Sequence, residues 1–193
     1  MLSRLEIESV FVELPTLRCE RVNLVPLHLD HAEQLFELYS KPEVMSGLGH
    51  ELHTAPAVTQ QWVLGLLERH QTYRGMTWSL FQSTRPRLIG TCALHGISWR
   101  NRRADVGFEL APDLWGQGLM REALTALMGF SFTDLEFIKL SAHVALDNER
   151  SQGLLGRLGF REEGVLRRHG FWGGEPHDLK AYGLLSEELV GAR

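Results

Sequence analysis

Leu114-Trp115-Gly116-Gln117-Gly118-Leu119-Met120-Arg121-Glu122-Ala123-Leu124 is the stretch that decides the fold. A strand reading over 104–110 leads into it, and an apolar helical pattern over 120–133 leads out. Two glycines one residue apart let the backbone turn tightly and let a ligand approach the N–H groups with no Cβ in the way. The helix start adds unpaired N–H groups and the positive end of its dipole. A strand–turn–helix of this composition suits a phosphate or pyrophosphate. Two nucleotide-binding patterns are excluded. Gly118 is followed by Leu119 and Met120 rather than by Lys and Ser/Thr. Arg121 stands where the dinucleotide fingerprint requires a third small residue.

Outward from that turn, strands dominate the middle of the chain. Alternation over 5–14 reads as a half-exposed strand ended by Pro15, and a second strand follows at 22–27. Asp30 reads as the N-cap of a helix over 31–39, which Lys41-Pro42 breaks. Residues 46–56, with glycines, histidines and Pro56, read as a loop. A helix over 58–74 follows, with Gly75 as its C′ residue. Strands at 76–82, 88–97 and 104–110 precede the glycine turn. Beyond it come a strand at 138–146, a helix at 150–158 ended by Gly159, and strands at 160–168 and 180–185 around a loop over 170–178. This order predicts one α+β domain over 1–193, a mixed and mostly antiparallel central sheet with flanking helices. Residues 1–16 would be an added edge strand or an oligomer contact.

The second informative segment is Asp147-Asn148-Glu149-Arg150-Ser151-Gln152-Gly153-Leu154-Leu155-Gly156-Arg157-Leu158-Gly159-Phe160. Asn148 stands where strand turns to helix, a position at which asparagine caps helices well. Together the two segments resemble the GNAT superfamily of acyl-CoA-dependent N-acetyltransferases, and within it the Rim-type ribosomal-protein N-terminal acetyltransferases. The resemblance rests on Trp-Gly-Gln-Gly-Leu-Met-x-Glu-Ala from Trp115, Asn-x-x-Ser from Asn148 and Gly-Phe-x-x-Glu-Gly from Gly159. Arg21–Leu27 resembles the family's first strand and Asp178–Leu185 its closing strand. The first 16 residues lie outside it.

The resemblance implies that acetyl-CoA binds in a gap between splayed parallel strands at 104–110 and 138–146, with no metal. Pantetheine would pair with main-chain groups near Glu109, Leu110 and Ala111, as an added strand does. The pyrophosphate would rest on the N–H groups of Trp115, Gly116, Gln117, Gly118, Leu119 and Met120, with Arg121 near a phosphate and Asn148 on the pantetheine amides or capping its helix. Amine acetylation needs a base for the amine and an acid for the leaving thiolate. Glu109 is the expected base. Asp105, on the same face of the strand by alternation, is the alternative. The resemblance to Rim-type members implies that Ser151, the serine after Asn148, is the acid or holds a water that serves; the tyrosine that many family members use has no counterpart, since Tyr39, Tyr73 and Tyr182 all lie off the helix that starts at Arg150.

Composition sets the remaining bounds. The chain has 193 residues and a formal net charge of −4. Each half carries −2, so bulk charge offers nothing to nucleic acid. No apolar run approaches the roughly 18 residues of a membrane span. The two cysteines, Cys19 and Cys92, match no metal or redox spacing, which suits a cytoplasmic protein with reduced thiols. His50 with His53, and His28 with His31, repeat a three-residue spacing but lack the further ligands of a zinc site. The 47–56 segment, with His169 and Trp172, should line the acceptor pocket. The acceptor would be a protein N-terminus or a small-molecule amine, and the family tendency suggests a homodimer. An acyl-CoA-binding sensor without catalysis is the alternative function.

Overall fold

The structure is a computed structural model and describes residues 2–191. In chain order it contains α1 (Arg4–Val12), β1 (Leu17–Arg18), β2 (Val22–Pro26), α2 (Ala32–Tyr39), α3 (Pro42–Leu48), α4 (Pro56–Gln71), β3 (Gly75–Gln82), β4 (Leu88–Ser98) and β5 (Arg103–Leu110). There follow α5 (Leu119–Thr133), β6 (Lys139–Ala145), α6 (Glu149–Arg157), β7 (Arg161–Trp172) and β8 (Glu175–Leu185). The strands form one sheet in the order β1-β2-β3-β4-β5-β6-β8-β7. Every neighbouring pair is antiparallel except β5 with β6. The mixed, mostly antiparallel α+β architecture is therefore as expected.

The parallel pair is short. β5 and β6 are in register only at Arg103↔Lys139, Ala104↔Leu140 and Asp105↔Ser141. Past Asp105 the two strands separate, while β4 keeps pairing with β5 as far as Leu110 and β8 with β6 as far as Ala145. The sheet thus opens as a V between the second halves of β5 and β6.

Strand alternation gives the sheet two unlike faces. One carries Met76, Trp78 and Leu80 on β3, Cys92 and Leu94 on β4, and Val106 and Leu110 on β5, all buried. α5 covers this face. The Trp78 and Phe130 rings meet edge to face at 5.7 Å, and the sulfurs of Cys92 and Met120 lie 3.5 Å apart. The other face carries Gly75, Thr77 and Ser79, then Thr91, Ala93 and His95, then Asp105, Gly107 and Glu109, each set opposite the next in the pairing register. These side chains are mostly small or polar, and α2 and α4 pack over them. The small floor leaves room for a cavity under the helices.

The structure corrects several local expectations. Residues 4–12 are helical rather than an edge strand. Ser3 and Glu6 form a reciprocal capping box, with the Ser3 N–H donating to Glu6 at 2.7 Å and the Glu6 N–H to Ser3 Oγ at 3.3 Å. A capping box of this kind satisfies orphan N–H groups at a helix start. The edge position goes to the two-residue β1 instead, and α1 docks through buried Phe11, whose ring lies 4.9 Å from that of His70. Asp30 caps no α-helix; it sits in a 3₁₀ turn, Leu29–His31, with His31 at the N-cap of α2. Pro42 starts α3 as its first residue, so helix extends into the segment read as a loop, and Gly49 ends it at φ 67°. Tyr73, not Gly75, takes the left-handed position after α4, at φ 57°. Gly75 opens β3, where a Cβ would lie 3.2 Å from the Leu94 carbonyl oxygen. The expected loop over 170–178 is a tight hairpin turning at Gly173-Gly174, with β7 and β8 running up to it on both sides.

Candidate active site

The glycine turn is held from the far end of the sheet. The Arg21 guanidinium donates to the Gln117 carbonyl at 2.9 Å through Nη1 and to Glu122 at 2.8 Å through Nε, and its backbone N–H donates to the other Glu122 oxygen at 2.7 Å. Gly116 and Gly118 take φ of 76° and 78°, in the left-handed region that disfavours a side chain. The first helical bond of α5 runs from the Glu122 N–H to the Gly118 carbonyl. The N–H groups from Gly116 to Arg121 consequently have no acceptor among the described residues, and they gather at the helix start.

This turn lines a cleft of about 550 Å³ bounded by the end of β5 and by α6 with its cap. Of the expected cofactor-binding residues, Leu110, Trp115, Gly116, Gly118, Leu119, Met120, Arg121 and Asn148 line it, and so do Glu109 and Ser151. Two do not. Ala111 is buried, with its N–H donated to the Ile89 carbonyl at 2.7 Å and its carbonyl accepting from Leu114, so it presents no donor to a ligand. Gln117 turns its side chain to the Asp113 carbonyl and contributes through its backbone alone. Three arginines stand around the cleft: Arg121, Arg150 and Arg157. Arg150 lies over the Trp115 ring at 3.4 Å, and the Trp115 indole N–H is anchored on the Leu110 carbonyl at 2.8 Å. The sequence does not single out Arg150 and Arg157, because α6 reads there as an ordinary polar helix.

Glu109 ends β5 on the small-residue face and is half-buried. Its Oε1 accepts from the Tyr39 hydroxyl at 2.6 Å and from the Thr91 hydroxyl. Burial pushes the Glu109 carboxyl above its ordinary value, while the two hydroxyl bonds pull the other way. Burial and the neighbouring carboxylate hold the Tyr39 phenol well above its ordinary range, so it stays a donor. Both donors converge on one oxygen, and Oε2 takes no hydrogen bond among the described residues. Such a carboxylate is arranged to accept a proton from a ligand.

Asn148 caps α6, its Oδ1 accepting from the Ser151 N–H at 3.1 Å. That cap fixes Ser151 on the first turn, half-buried. A second cavity, of about 350 Å³, lies over the small floor of the sheet between β4, β5, β6 and α4. Phe108, Glu109, Asn148 and Ser151 line both cavities. Asp105 lines neither. It lies four residues back along β5, its carboxylate against Gly96 and its Oδ1 buried without a hydrogen bond.

The histidine pairs are otherwise engaged. His53 is hydrogen-bonded to Thr59 at 2.9 Å and His31 to Ser79 at 2.9 Å, while the His50 ring packs on Trp62 at 4.9 Å. Neither Trp172 nor His169 lines the second cavity. Trp172 stacks on His177 at 3.7 Å and covers Gly49, and the Gly173 N–H donates to Glu51 at 2.8 Å. His169 stands behind His143, which does line it, with ring centroids 5.2 Å apart.

Comparison with known proteins bears on this arrangement directly. The family described as "Acetyltransferase (GNAT) domain" matches residues 21–161. The chain belongs to the GNAT acetyltransferase family. It is thus an acyltransferase of a fold that uses acetyl-CoA. It is 30% identical over 171 residues to the uncharacterized N-acetyltransferase YoaA of Bacillus subtilis (strain 168), covering 89% of this chain and 97% of YoaA. It is 32% identical over 103 residues to the spermidine N(1)-acetyltransferase of Vibrio cholerae serotype O1, covering 53% of this chain and 60% of that protein. Among solved structures, RimL, the ribosomal L7/L12 α-N-protein acetyltransferase in complex with coenzyme A, superposes with a TM-score of 0.78 at 22% identity, covering 89% of this chain and 98% of the other. Among the described residues no helix of this GNAT chain is long and apolar enough to cross a membrane.

Proposed function

We propose that the protein transfers the acetyl group of acetyl-CoA to a primary amine by direct attack within a ternary complex, with Glu109 as general base and Ser151 as general acid. The observation that carries this reading is the meeting of two cavities at Glu109, Asn148 and Ser151. One cavity has the unpaired N–H groups and arginines that suit a pyrophosphate-bearing cosubstrate. The other leads to the same carboxylate from the opposite side, where an acceptor would enter.

In this scheme Glu109 Oε2 takes a proton from the acceptor ammonium, and the freed nitrogen lone pair attacks the thioester carbonyl carbon. Tyr39 and Thr91 keep the carboxylate oriented through Oε1. As the carbon–sulfur bond breaks, the sulfur keeps the electron pair and takes the Ser151 hydroxyl proton, the second amine proton passes to the Ser151 oxygen as the amide forms, and the proton held by Glu109 leaves to solvent. The products are an N-acetylated amine and CoA thiol. No covalent enzyme intermediate is required, so buried Cys92 has no part. The sensor alternative gains no support from a cavity pair that converges on a partly desolvated carboxylate.

Thiol release from acetyl-CoA over a panel of amines, alongside calorimetry with CoA, tests the reading. CoA binding with amine-dependent thiol release is the expected result. Binding without release on any amine would favour the sensor, and absence of binding would sink both.

A further inference from the structure

The acceptor cavity has a pronounced charge pattern. Its lining includes Arg69, His50, His95 and His143, and Glu109 is the one acidic residue among them. Glu109 is already occupied by Tyr39 and Thr91 on one oxygen. The Arg69 guanidinium, by contrast, makes no ion pair or hydrogen bond among the described residues. The residue is exposed, and its stem starts beside the sheet. Arg69 Cβ lies against Gly75, the glycine that pairs with His95, and His95 in turn pairs with Asp105. His95 and Asp105 stand four strand residues from Thr91 and Glu109, roughly 13 Å along the sheet. The cavity therefore has a base at one end and, at the other, an exposed guanidinium with no protein partner among the described residues.

The histidines do not add fixed positive charge at this end. Burial lowers His50 and His95, and Arg69 acts the same way on both, while the Asp105 carboxylate opposes it at His95. Arg69 is then the standing cation. A guanidinium presents a planar fork that fits a carboxylate through two parallel N–H bonds. A polyamine would instead place a second ammonium beside this cation, and the Asp105 carboxylate on that side lines neither cavity.

We propose that the acceptor is a small amine that also bears a carboxylate at its far end, the amine lying at Glu109 and the carboxylate at Arg69. This rests on the acetyl-transfer reading and names its substrate class. The cavity of about 350 Å³ suits a small molecule, near the lower end of the size range of ligand pockets.

The test uses matched pairs: ω-amino acids of increasing length such as 4-aminobutyrate and 6-aminohexanoate, their carboxamides, and spermidine. Thiol release gives KM and kcat, and calorimetry in the presence of CoA gives affinity independently of turnover. The carboxylates should have KM at least about tenfold below their carboxamides, since the bond to Arg69 is charge-assisted. Arg69→Gln should erase that preference and leave KM for acetyl-CoA unchanged. Carboxamides or spermidine used as well as the carboxylates, or a preference that survives in Arg69→Gln, overturns the proposal while acetyl transfer stands. Arg69-dependent binding of the carboxylates without thiol release supports the anion site and defeats the transfer reading. Neither binding nor release across the panel defeats both. A short peptide with an acidic side chain that outcompetes every ω-amino acid would overturn the small-molecule assignment.

Discussion

The Tyr39 hydroxyl lies 2.6 Å from Oε1 of Glu109, although the two residues are 70 positions apart in the chain. The contact exists because α2 crosses the small-residue face of the sheet just where β5 ends. Thr91, directly opposite Glu109 in the β4–β5 register, supplies the second donor to the same oxygen. Both bonds favour the ionised carboxylate and act against burial, which favours the neutral acid. Removing either donor should move Glu109 still higher. Tyr39→Phe and Thr91→Val should therefore shift the acid limb of the pH profile of kcat/KM to higher pH, with a greater loss of activity at pH 6 than at pH 8.5. A limb that stays in place in both variants would show that neither hydroxyl tunes the base.

Glu109→Gln should lower kcat about 100-fold or more if the carboxylate is the general base. Acetyl-CoA affinity should change little, because the pyrophosphate donors lie on another segment. The same substitution has a stability signature. Glu109 is raised in the folded chain above the ordinary value of 4.5, so between that value and its folded value the native state binds more protons than the unfolded state. Its contribution to stability is present below pH 4.5 and is lost as pH rises through the folded value. An amide at this position does not titrate, so the Tm of the Glu109→Gln variant relative to wild type should increase from pH 4.5 upward. Thermal melts across pH 4–9 measure it, and a flat difference would contradict the shift.

Arg21 and Gly116 act on the same turn from different sides. Arg21→Ala frees the Gln117 carbonyl and the Glu122 carboxylate together. Gly116→Ala introduces no collision, since nothing lies within 4 Å of the added Cβ, but it strains a φ of 76° by about 1–2 kcal/mol. Each should raise KM for acetyl-CoA about tenfold with kcat less affected, as expected for a preorganised binding turn. The double variant should fall short of the product of the two, because both disturb one loop. Calorimetry with CoA supplies the affinities, and full additivity would place the two effects in separate elements.

Sequence legibility divides along contact range. The glycine turn, the strand that leads into it and the Asn148 cap depend on neighbours within a few residues, and each is readable from local pattern. The N-terminal helix escapes that reading even though its signal is equally local. Ser3 and Glu6 spell a capping box, but alternation over 5–14 also fits a strand, and the choice turns on which element holds the sheet edge. The Tyr39–Thr91–Glu109 cluster and the Arg21 clamp are illegible for a different reason. They join segments brought together only by the sheet register and by helix packing, so no spacing in the chain encodes them. Alternation does put Asp105 on the face of Glu109, and only the cavity walls show that it faces neither ligand space.

Gly90 holds β4 against β5 at the point where Glu109 is presented. A Cβ there would collide with the Glu109 backbone carbonyl oxygen, which cannot swing aside as a side-chain tip can. Gly90→Ala should destabilise the fold by about 1–3 kcal/mol, as overpacking does. It should also lower kcat/KM at temperatures where the variant is fully folded, because the strand that carries the base is displaced. Denaturant melts and kinetics below the transition separate the two effects. Wild-type kinetics in a destabilised Gly90→Ala would show that the site tolerates a shift of β5.

Asp105→Asn discriminates between the two carboxylates of β5. Asp105 lines neither cavity, and it is separated from Glu109 by four strand residues, so it is out of reach of an amine held at Ser151. Its buried Oδ1 lacks a partner, and the isosteric amide keeps its shape while removing any charge held there. The variant should retain near wild-type kcat and an unshifted acid limb, in contrast to Glu109→Gln. If Asp105→Asn instead lost turnover as severely as Glu109→Gln, the base assignment would pass to Asp105, and the acceptor would have to enter from the Gly96 end of the strands.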